Sequence, residues 1–161
     1  MTKEEFKVLF DTYYDSVRRY LFYRGAEKEQ ASDLAQDVFL RIWEKQLDAD
    51  PKTALRLLYK MAGDMFVSQY RRENLEMNYR NALKNDTADF SPEDQLRYNE
   101  LHANYTKALA CLGERQRTVF LMARMDGLKY HEIAERLNLS VKAVEKRMSI
   151  ALGYLKKALH E

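Results

Sequence analysis

The sequence predicts an all-α protein made of two small helical domains joined by a flexible linker. Apolar residues recur at helical spacing along most of the chain, and no segment requires a strand. Residues 85–91 (NDTADFS) lose this periodicity and gain Asp, Asn, Thr and Ser. We therefore expect domains at residues 1–84 and 92–161, with residues 85–91 as the linker. The second domain is expected to hold four helices, including a helix-turn-helix.

The first domain is predicted to contain three helices. A capping box at Thr2 precedes a helix over about residues 3–23. A second, amphipathic helix is expected over about residues 27–45. Asp50-Pro51 starts the third, because Asp is a good N-cap and Pro fits the first helical position. The tyrosines of the first helix are expected to pack in the core rather than to stack on bases.

The second domain carries the pattern of a helix-turn-helix. Two helical patterns flank residues 138–140 (NLS). Asn138 tolerates the left-handed backbone that leaves the first helix, and Ser140 is a good N-cap for the second. The apolar face predicted for the second helix comprises Val141, Val144, Met148, Ala151, Leu152 and Leu155.

A corner of this kind presents its second helix to a DNA major groove. With the apolar face turned inward, we expect the outward face to contact DNA. Glu145 and Lys146 are predicted to read bases, whereas Lys142 and Arg147 hold phosphates. The full set of candidates is Ser140, Lys142, Ala143, Glu145, Lys146, Arg147 and Ser149. The alternative is an ordinary helical corner with a solvated charged face.

The distribution of charge supports this assignment. The whole chain has a formal net charge of only +2. Residues 113–161 nevertheless hold 10 basic and 6 acidic side chains. The positive charge is therefore concentrated in the segment that contains the helix-turn-helix, where DNA phosphates would need to be neutralised.

Two surfaces of the first domain are candidates for binding. The third helix combines cations and aromatic rings, a mixture that holds a single nucleic-acid strand; these outward-facing residues are Tyr59, Lys60, Tyr70, Arg71 and Arg72. The second helix has an acidic exterior around a glutamine, formed by Asp33, Gln36, Asp37, Arg41 and Glu44. This exterior is either a solvated face or a docking surface for basic groups of a partner.

No candidate for catalysis, for a metal or for a cofactor is found in the sequence. His131 and Glu132 begin like a zinc-protease helix, but position 135 is Glu and not the required histidine. Cys111 is the only cysteine and is expected to be a buried small hydrophobe. No apolar run is long enough for membrane insertion or typical of a signal peptide, so we expect a soluble, cytoplasmic protein.

Three motifs, in this order, resemble those of bacterial RNA polymerase sigma factors of the extracytoplasmic-function group of the sigma-70 family. Residues 31–43 (ASDLAQDVFLRIW) are similar to the AxDLxQxxFxxxW signature of that group. Residues 59–62 and 70–72 resemble the next helix, which opens and reads the −10 element. Residues 132–137 and 140–145 resemble the domain that reads the −35 element. The resemblance covers nearly the whole chain.

The resemblance implies an alternative sigma factor that is not an enzyme and that directs core RNA polymerase to promoters. It also implies that the polymerase is bound by four residues of the second helix, Asp33, Gln36, Asp37 and Arg41. The −10 contacts would also include Asp64 and, in the loop before the third helix, Lys52. An anti-sigma factor is implied as a further partner, and the protein is expected to be a monomer outside the holoenzyme.

Four positions depart from the family pattern. The chain has Gly63-Asp64 where the family usually has Arg-Asn, and Ser68 where it has an Asp. Ile150 replaces a frequent Arg of the recognition helix. Because a carboxylate only accepts hydrogen bonds and repels phosphate, Asp64 is expected to alter the −10 contact.

Two other classes of protein remain open from the residues alone. A stand-alone helix-turn-helix regulator, or a response-regulator output module, would use the first domain to dimerise or to sense a signal, and would bind a palindrome without polymerase. A non-DNA-binding adaptor would use its helices only to bind other helices. Co-purification with core RNA polymerase separates these alternatives.

Overall fold

The computed structural model describes residues 1–46, 50–70 and 107–160 of the chain. All regular structure in these ranges is helical, as predicted. Residues 107–111 are helical and precede the last three helices. The six bounded helices are α1 (Lys3–Arg24), α2 (Lys28–Lys45), α3 (Pro51–Tyr70), α4 (Glu114–Arg124), α5 (Tyr130–Leu137) and α6 (Val141–His160). The predicted linker, residues 85–91, lies outside the described residues.

The predicted helix starts of the N-terminal region (residues 1–46 and 50–70) are confirmed. Thr2 Oγ1 accepts a hydrogen bond from the Glu5 amide at 3.1 Å, and the Glu5 carboxylate accepts one from the Thr2 amide at 3.1 Å. Asp50 Oδ1 accepts from the Thr53 amide at 2.7 Å. These bonds satisfy main-chain donors that a helix start otherwise leaves open.

Helices α1, α2 and α3 pack around an apolar core. Val17, Leu34, Phe39 and Leu58 are buried from all three helices. Aromatic rings extend the core between α1 and α2, where the Phe10 and Phe39 ring centroids are 5.1 Å apart. Among the α1 tyrosines, Tyr20 and Tyr23 are buried, which confirms that they belong to the core. Tyr13 and Tyr14 are half-buried.

The C-terminal region (residues 107–160) forms the predicted helix-turn-helix. Asn138 ends α5 with φ 54°, and Ser140 Oγ accepts from the Ala143 amide at 3.1 Å as the N-cap of α6. Val144 and Met148 are buried against the neighbouring helices, as expected. The corner is thereby fixed in the geometry that presents α6.

Three apolar assignments in this region were wrong. Val141 and Leu152, assigned to the inward face of α6, are 42% and 47% exposed. The buried stripe of α6 is narrower than the predicted apolar face, because the described helices that pack on α6, chiefly α4 and α5, cover only part of that face. Cys111 is exposed, because its neighbours Leu109 and Leu112 occupy the buried side of that turn.

The N-terminal and C-terminal regions pack against each other. Helix α1 contacts α4, and α3 contacts α5. Arg117 of α4 is 3% exposed and donates to the main-chain oxygens of Tyr23 and Arg24, each at 2.8 Å. A cationic side chain thus caps the carbonyl end of α1, where the helix dipole favours positive charge. Among the described residues, no helix is both long and apolar enough to cross a membrane.

Candidate nucleic-acid and partner interfaces

Most of the predicted contacts on α6 lie on one open face. Lys142, Glu145, Lys146 and Ser149 are exposed, and Ser140 is exposed at the start of the helix. Ala143 is half-buried. Because residues at positions i, i+3, i+4 and i+7 share one side of a helix, the three charged groups and the hydroxyl of Ser149 point together. The face therefore offers two ammonium donors, one carboxylate acceptor and a hydroxyl that can do either to an incoming partner.

Arg147 lies apart from this open face. Its side chain is half-buried and borders a cleft between the two regions. Burial lowers the pKa of the Arg147 guanidinium, and the positive charge of Arg115 lowers it further. In this conformation Arg147 thus borders the cleft, and the groups that act on its charge belong to α4 and α1.

The outer surface of α3 carries fewer contacts than predicted. Lys52, Lys60 and Asp64 are exposed as expected. Lys60 Nζ lies 3.3 Å from Asp64 Oδ2, one helical turn away. An exposed pair of this kind adds little stability, but it partly neutralises the carboxylate that departs from the family pattern. The side chain of Tyr70, and Arg71 and Arg72 entirely, lie outside the described residues.

The expectation that Tyr59 faces outward was wrong. Its side chain is 1% exposed, and its hydroxyl accepts a hydrogen bond from Arg136 Nη1 at 3.0 Å. Its ring lies against Tyr20, with centroids 4.9 Å apart. Burial raises the pKa of the Tyr59 phenol to about 12, so the group stays neutral. An aromatic ring is buried readily when its hydroxyl finds a partner, and α5 of the other region supplies that partner here.

Gly63, the neighbouring departure from the family pattern, has a packing role. A Cβ atom at this position would lie 2.8 Å from Arg24 Nη1 and 3.3 Å from the Tyr20 hydroxyl. The absence of a side chain therefore lets Arg24 of α1 approach α3 closely. Arg24 also forms an ion pair with Glu114 of α4, so Gly63 indirectly supports a link between the two regions.

The acidic face of α2 is fully available. Asp33, Gln36, Asp37 and Arg41 are exposed, while Leu34 and Val38 on the opposite side are buried. Leu40 adds an apolar side chain that is 52% exposed beside the charged set. Charged groups around an apolar residue form a surface suited to a protein partner, because the charges select and the apolar group is desolvated on binding.

A polar cluster between the regions was missed in the sequence. The side chain of Asp126, in the turn after α4, is only 3% exposed. Its Oδ1 accepts from Arg19 Nε at 2.8 Å and from the Tyr23 hydroxyl at 2.6 Å. Burial raises the pKa of Asp126, and burial also raises that of Tyr23. Asp126-Gly127 has the composition of an ordinary turn, so no local signal pointed to this contact.

Among the described residues, no group of three or more His, Cys, Asp or Glu side chains is arranged to hold a metal ion.

Two family models match the chain, one in each region. Residues 9–75 match the model described as Sigma-70 region 2. Residues 102–155 match the model described as Sigma-70, region 4. The two matches cover the acidic face of α2, helix α3 and the whole helix-turn-helix.

Curated relatives and solved structures agree with this match. The chain is 29% identical to the ferric citrate uptake sigma factor FecI of Escherichia coli, over 92% of this chain and 87% of that protein. It is also 29% identical to RNA polymerase sigma factor YlaC of Bacillus subtilis, over 96% and 92%. The fold is similar to CnrH in its complex with the cytosolic domain of CnrY (TM-score 0.62, 21% identity, 99% of this chain and 90% of that one). It is equally similar to RpoE of Bartonella quintana bound to the anti-sigma factor NepR (TM-score 0.61, 20% identity, 98% of each chain).

Proposed function

Since the chain belongs to the extracytoplasmic-function group of the sigma-70 family, we propose that its two regions divide promoter recognition between them. The protein is an alternative sigma factor that directs promoter-specific transcription. Its partners are core RNA polymerase and promoter DNA. Sigma factors guide the polymerase and are not enzymes themselves, so we propose no catalytic activity and no cofactor for this chain.

The C-terminal region reads the −35 element through α6. The observation that carries this assignment is the open face of Lys142, Glu145, Lys146 and Ser149, which follows a capped corner at Ser140. A carboxylate accepts from cytosine N4, and an ammonium donates to guanine O6 and N7. Glu145 and Lys146 therefore read bases, while Lys142 and Arg147 bind phosphates. Ser140, Ala143 and Ser149 complete the contact surface.

The N-terminal region handles the separated strand at the −10 element. Lys52 and Lys60 are exposed on the side of α3 that would face a strand, next to Asp64. Tyr70, the last residue of α3, and the following Arg71 and Arg72 share this role in our proposal. Tyr59 contributes only if α5 moves away, because Arg136 covers its hydroxyl in the present conformation.

Helix α2 docks on core RNA polymerase. Asp33, Gln36, Asp37 and Arg41 provide the charges, and the exposed Leu40 provides apolar contact. Charge complementarity of this kind raises the rate of association and fixes the register of the two partners.

An anti-sigma factor is proposed as the regulatory partner. Two solved proteins with this fold were captured with partner chains, CnrY in one case and the anti-sigma factor NepR in the other. We further propose that the protein acts in the cytoplasm, where the polymerase works, and that it is a monomer outside the holoenzyme.

The assignment of α6 is tested by transcribing a promoter library in which the upstream element is randomised. Holoenzyme carrying Lys146→Ala should lose its preference at one or two adjacent positions, because a bidentate base contact discriminates by about 1–3 kcal/mol. Lys142→Ala is the matched control on the same helix. It should weaken all promoters alike and reduce the salt slope of binding by about one.

A uniform loss across the library with Lys146→Ala would make this lysine a phosphate ligand. The proposed orientation of α6 in the groove would then be wrong. An unchanged library profile with both variants would remove α6 from DNA recognition altogether.

A further inference from the structure

A cleft of about 620 Å³ lies between the two regions, beside the places where they pack against each other. The N-terminal wall is formed by α1 and α3, and the C-terminal wall by α4, by the α5–α6 corner and by α6. Its cationic side chains are Arg24, Arg56, Lys60, Arg115, Arg136 and Arg147. The volume lies within the range of about 300–1,000 Å³ that is typical of small-molecule sites.

The positive charge of this cleft is mostly uncompensated. Among the described residues that line it, the two acidic ones, Asp64 and Glu114, are already paired with Lys60 and Arg24 respectively. Within the part of the chain that the structure describes, Arg56, Arg115 and Arg147 form no ion pair. Arg136 donates to the neutral Tyr59 hydroxyl, and its guanidinium lies over the Tyr13 ring, 5.8 Å from the centroid. These four guanidinium groups therefore border the cleft without an ion pair to any described carboxylate, and the negative charge of Glu114 acts on Arg147 from a longer distance.

The arginines lie on opposite walls. Arg56 belongs to α3, whereas Arg115 and Arg147 belong to α4 and α6. Arg115 and Arg147 are close enough for the positive charge of one to act on the other, and the negative charge of Glu114 acts on Arg147 in the opposite sense. Guanidinium groups bind phosphate oxygens through paired, charge-assisted hydrogen bonds.

We propose that this interdomain cleft binds a small polyanion of the polyphosphate class, which bridges Arg56 on one wall to Arg115 and Arg147 on the other. The aromatic side chains at the cleft favour recognition of phosphate rather than of a base. Tyr20, Tyr59 and Phe66 are 6%, 1% and 1% exposed, so their rings leave almost no face for stacking. A DNA duplex is too wide for a cleft of this volume and has the open face of α6 instead.

The consequence for regulation rests on the proposed function. An anion held by both walls stabilises the packed arrangement of the two regions by mass action. In that arrangement Tyr59 is covered and Arg147 is turned into the cleft. The bound polyanion therefore opposes the rearrangement that frees both residues for DNA.

The binding claim is tested by calorimetric titration of the purified full chain with sodium tripolyphosphate at constant ionic strength. Arg56→Gln and Arg115→Gln remove one cation from each wall, and both side chains are exposed, so neither change empties the core. Each should weaken binding about tenfold, the loss expected for one charge-assisted contact to phosphate. Lys157→Gln is the matched control, because it removes an exposed positive charge near the end of α6, outside both the cleft and the proposed DNA-binding face.

An equal loss with Lys157→Gln would indicate general charge attraction and overturn the site, as would the absence of binding at millimolar tripolyphosphate. A titration with ATP separates the two sources of the phosphate group. Equal affinity for ATP and tripolyphosphate supports recognition through phosphate, whereas binding of ATP alone contradicts it. No polymerase or DNA is present in this titration, so a failure of the proposed promoter contacts would leave its result unchanged.

Discussion

Asp126 joins the two halves of the molecule through a single side chain. One of its oxygens accepts from both Arg19 and the Tyr23 hydroxyl, while the other, Oδ2, is buried and accepts no hydrogen bond from the described residues. A buried carboxylate that is only partly satisfied retains a desolvation cost, and this cost raises its pKa despite the nearby arginine.

Asp126 should make stability depend on pH in an unusual direction. Because its pKa in the folded protein is raised above the unfolded value, the folded state binds the proton more tightly. The stabilisation from this group is fully present below the unfolded pKa and is lost as pH rises through the folded pKa. Asp126→Asn cannot titrate. The wild type should therefore gain stability relative to this variant as pH is lowered from 7 toward the unfolded pKa.

Urea unfolding of both proteins across this pH range is the measurement, with Asp11→Asn as a control for the loss of an exposed carboxylate. A wild type that loses stability relative to Asp126→Asn on acidification would show that the ion pair with Arg19 outweighs burial.

Local chemistry explains which residues could be predicted. Thr2, Asp50, Asn138 and Ser140 act through main-chain groups within three or four residues of themselves, so the sequence was sufficient to assign them. The orientation of Tyr59 depends on Arg136, which is 77 positions away. No periodicity in α3 carries that information.

At the scale of elements, helix α2 has a packing side and a proposed docking side. Its buried side packs on α1 and α3, and on the other side Asp33 and Asp37 form no ion pair with any described residue. Charge reversal of Asp33 and Asp37 to lysine, singly and together, should therefore leave the fold intact. It should weaken binding to core RNA polymerase, because repulsion replaces complementarity at the docking surface.

The binding measurement is a titration of labelled chain with core enzyme, and circular dichroism checks the fold. The control variant Asp11→Lys makes the same charge change at an exposed position of α1, and it should bind core enzyme normally. Unchanged affinity of the Asp33 and Asp37 variants would remove α2 from the polymerase interface.

In helix α6, the spacing of apolar residues does not correctly predict every buried position. Val144 and Met148 were assigned correctly, because both lie at the centre of the stripe that packs on the neighbouring helices. Val141 and Leu152 have the right spacing for an apolar face but lie beyond the area that those helices cover. The width of a buried stripe is set by the neighbouring helices, which the spacing does not reveal.

For the whole molecule, the contact between the two regions is the feature that sequence reasoning lacked. The sequence predicts two domains and a linker. In the structure, Arg117, Asp126 and Arg136 form hydrogen bonds that connect the N-terminal and C-terminal regions. The Asp126–Arg19 bond links residues 107 positions apart. In the sequence these residues are ordinary polar residues, and no local pattern marks them as partners of one another.

Arg117→Ala should weaken this interface. Two main-chain carbonyls of α1 lose charged donors, which costs about 2–4 kcal/mol in the free energy of unfolding. We expect urea unfolding of the wild type in one transition and of Arg117→Ala in two. Arg115→Ala, an exposed arginine of the same helix, is the control and should unfold like the wild type. A single unshifted transition for Arg117→Ala would contradict an interface that couples the regions.

The central claim is that this chain selects promoters only together with core RNA polymerase, through both of its regions. The most direct measurement is transcription by the reconstituted holoenzyme from a library in which both promoter elements are randomised. Chain alone and core enzyme alone are assayed for binding to the same library. The account predicts two preferred sequence blocks at a fixed spacing, which appear only when chain and core enzyme are combined. Selection of a palindrome by the chain alone, with no change on adding core enzyme, would contradict it.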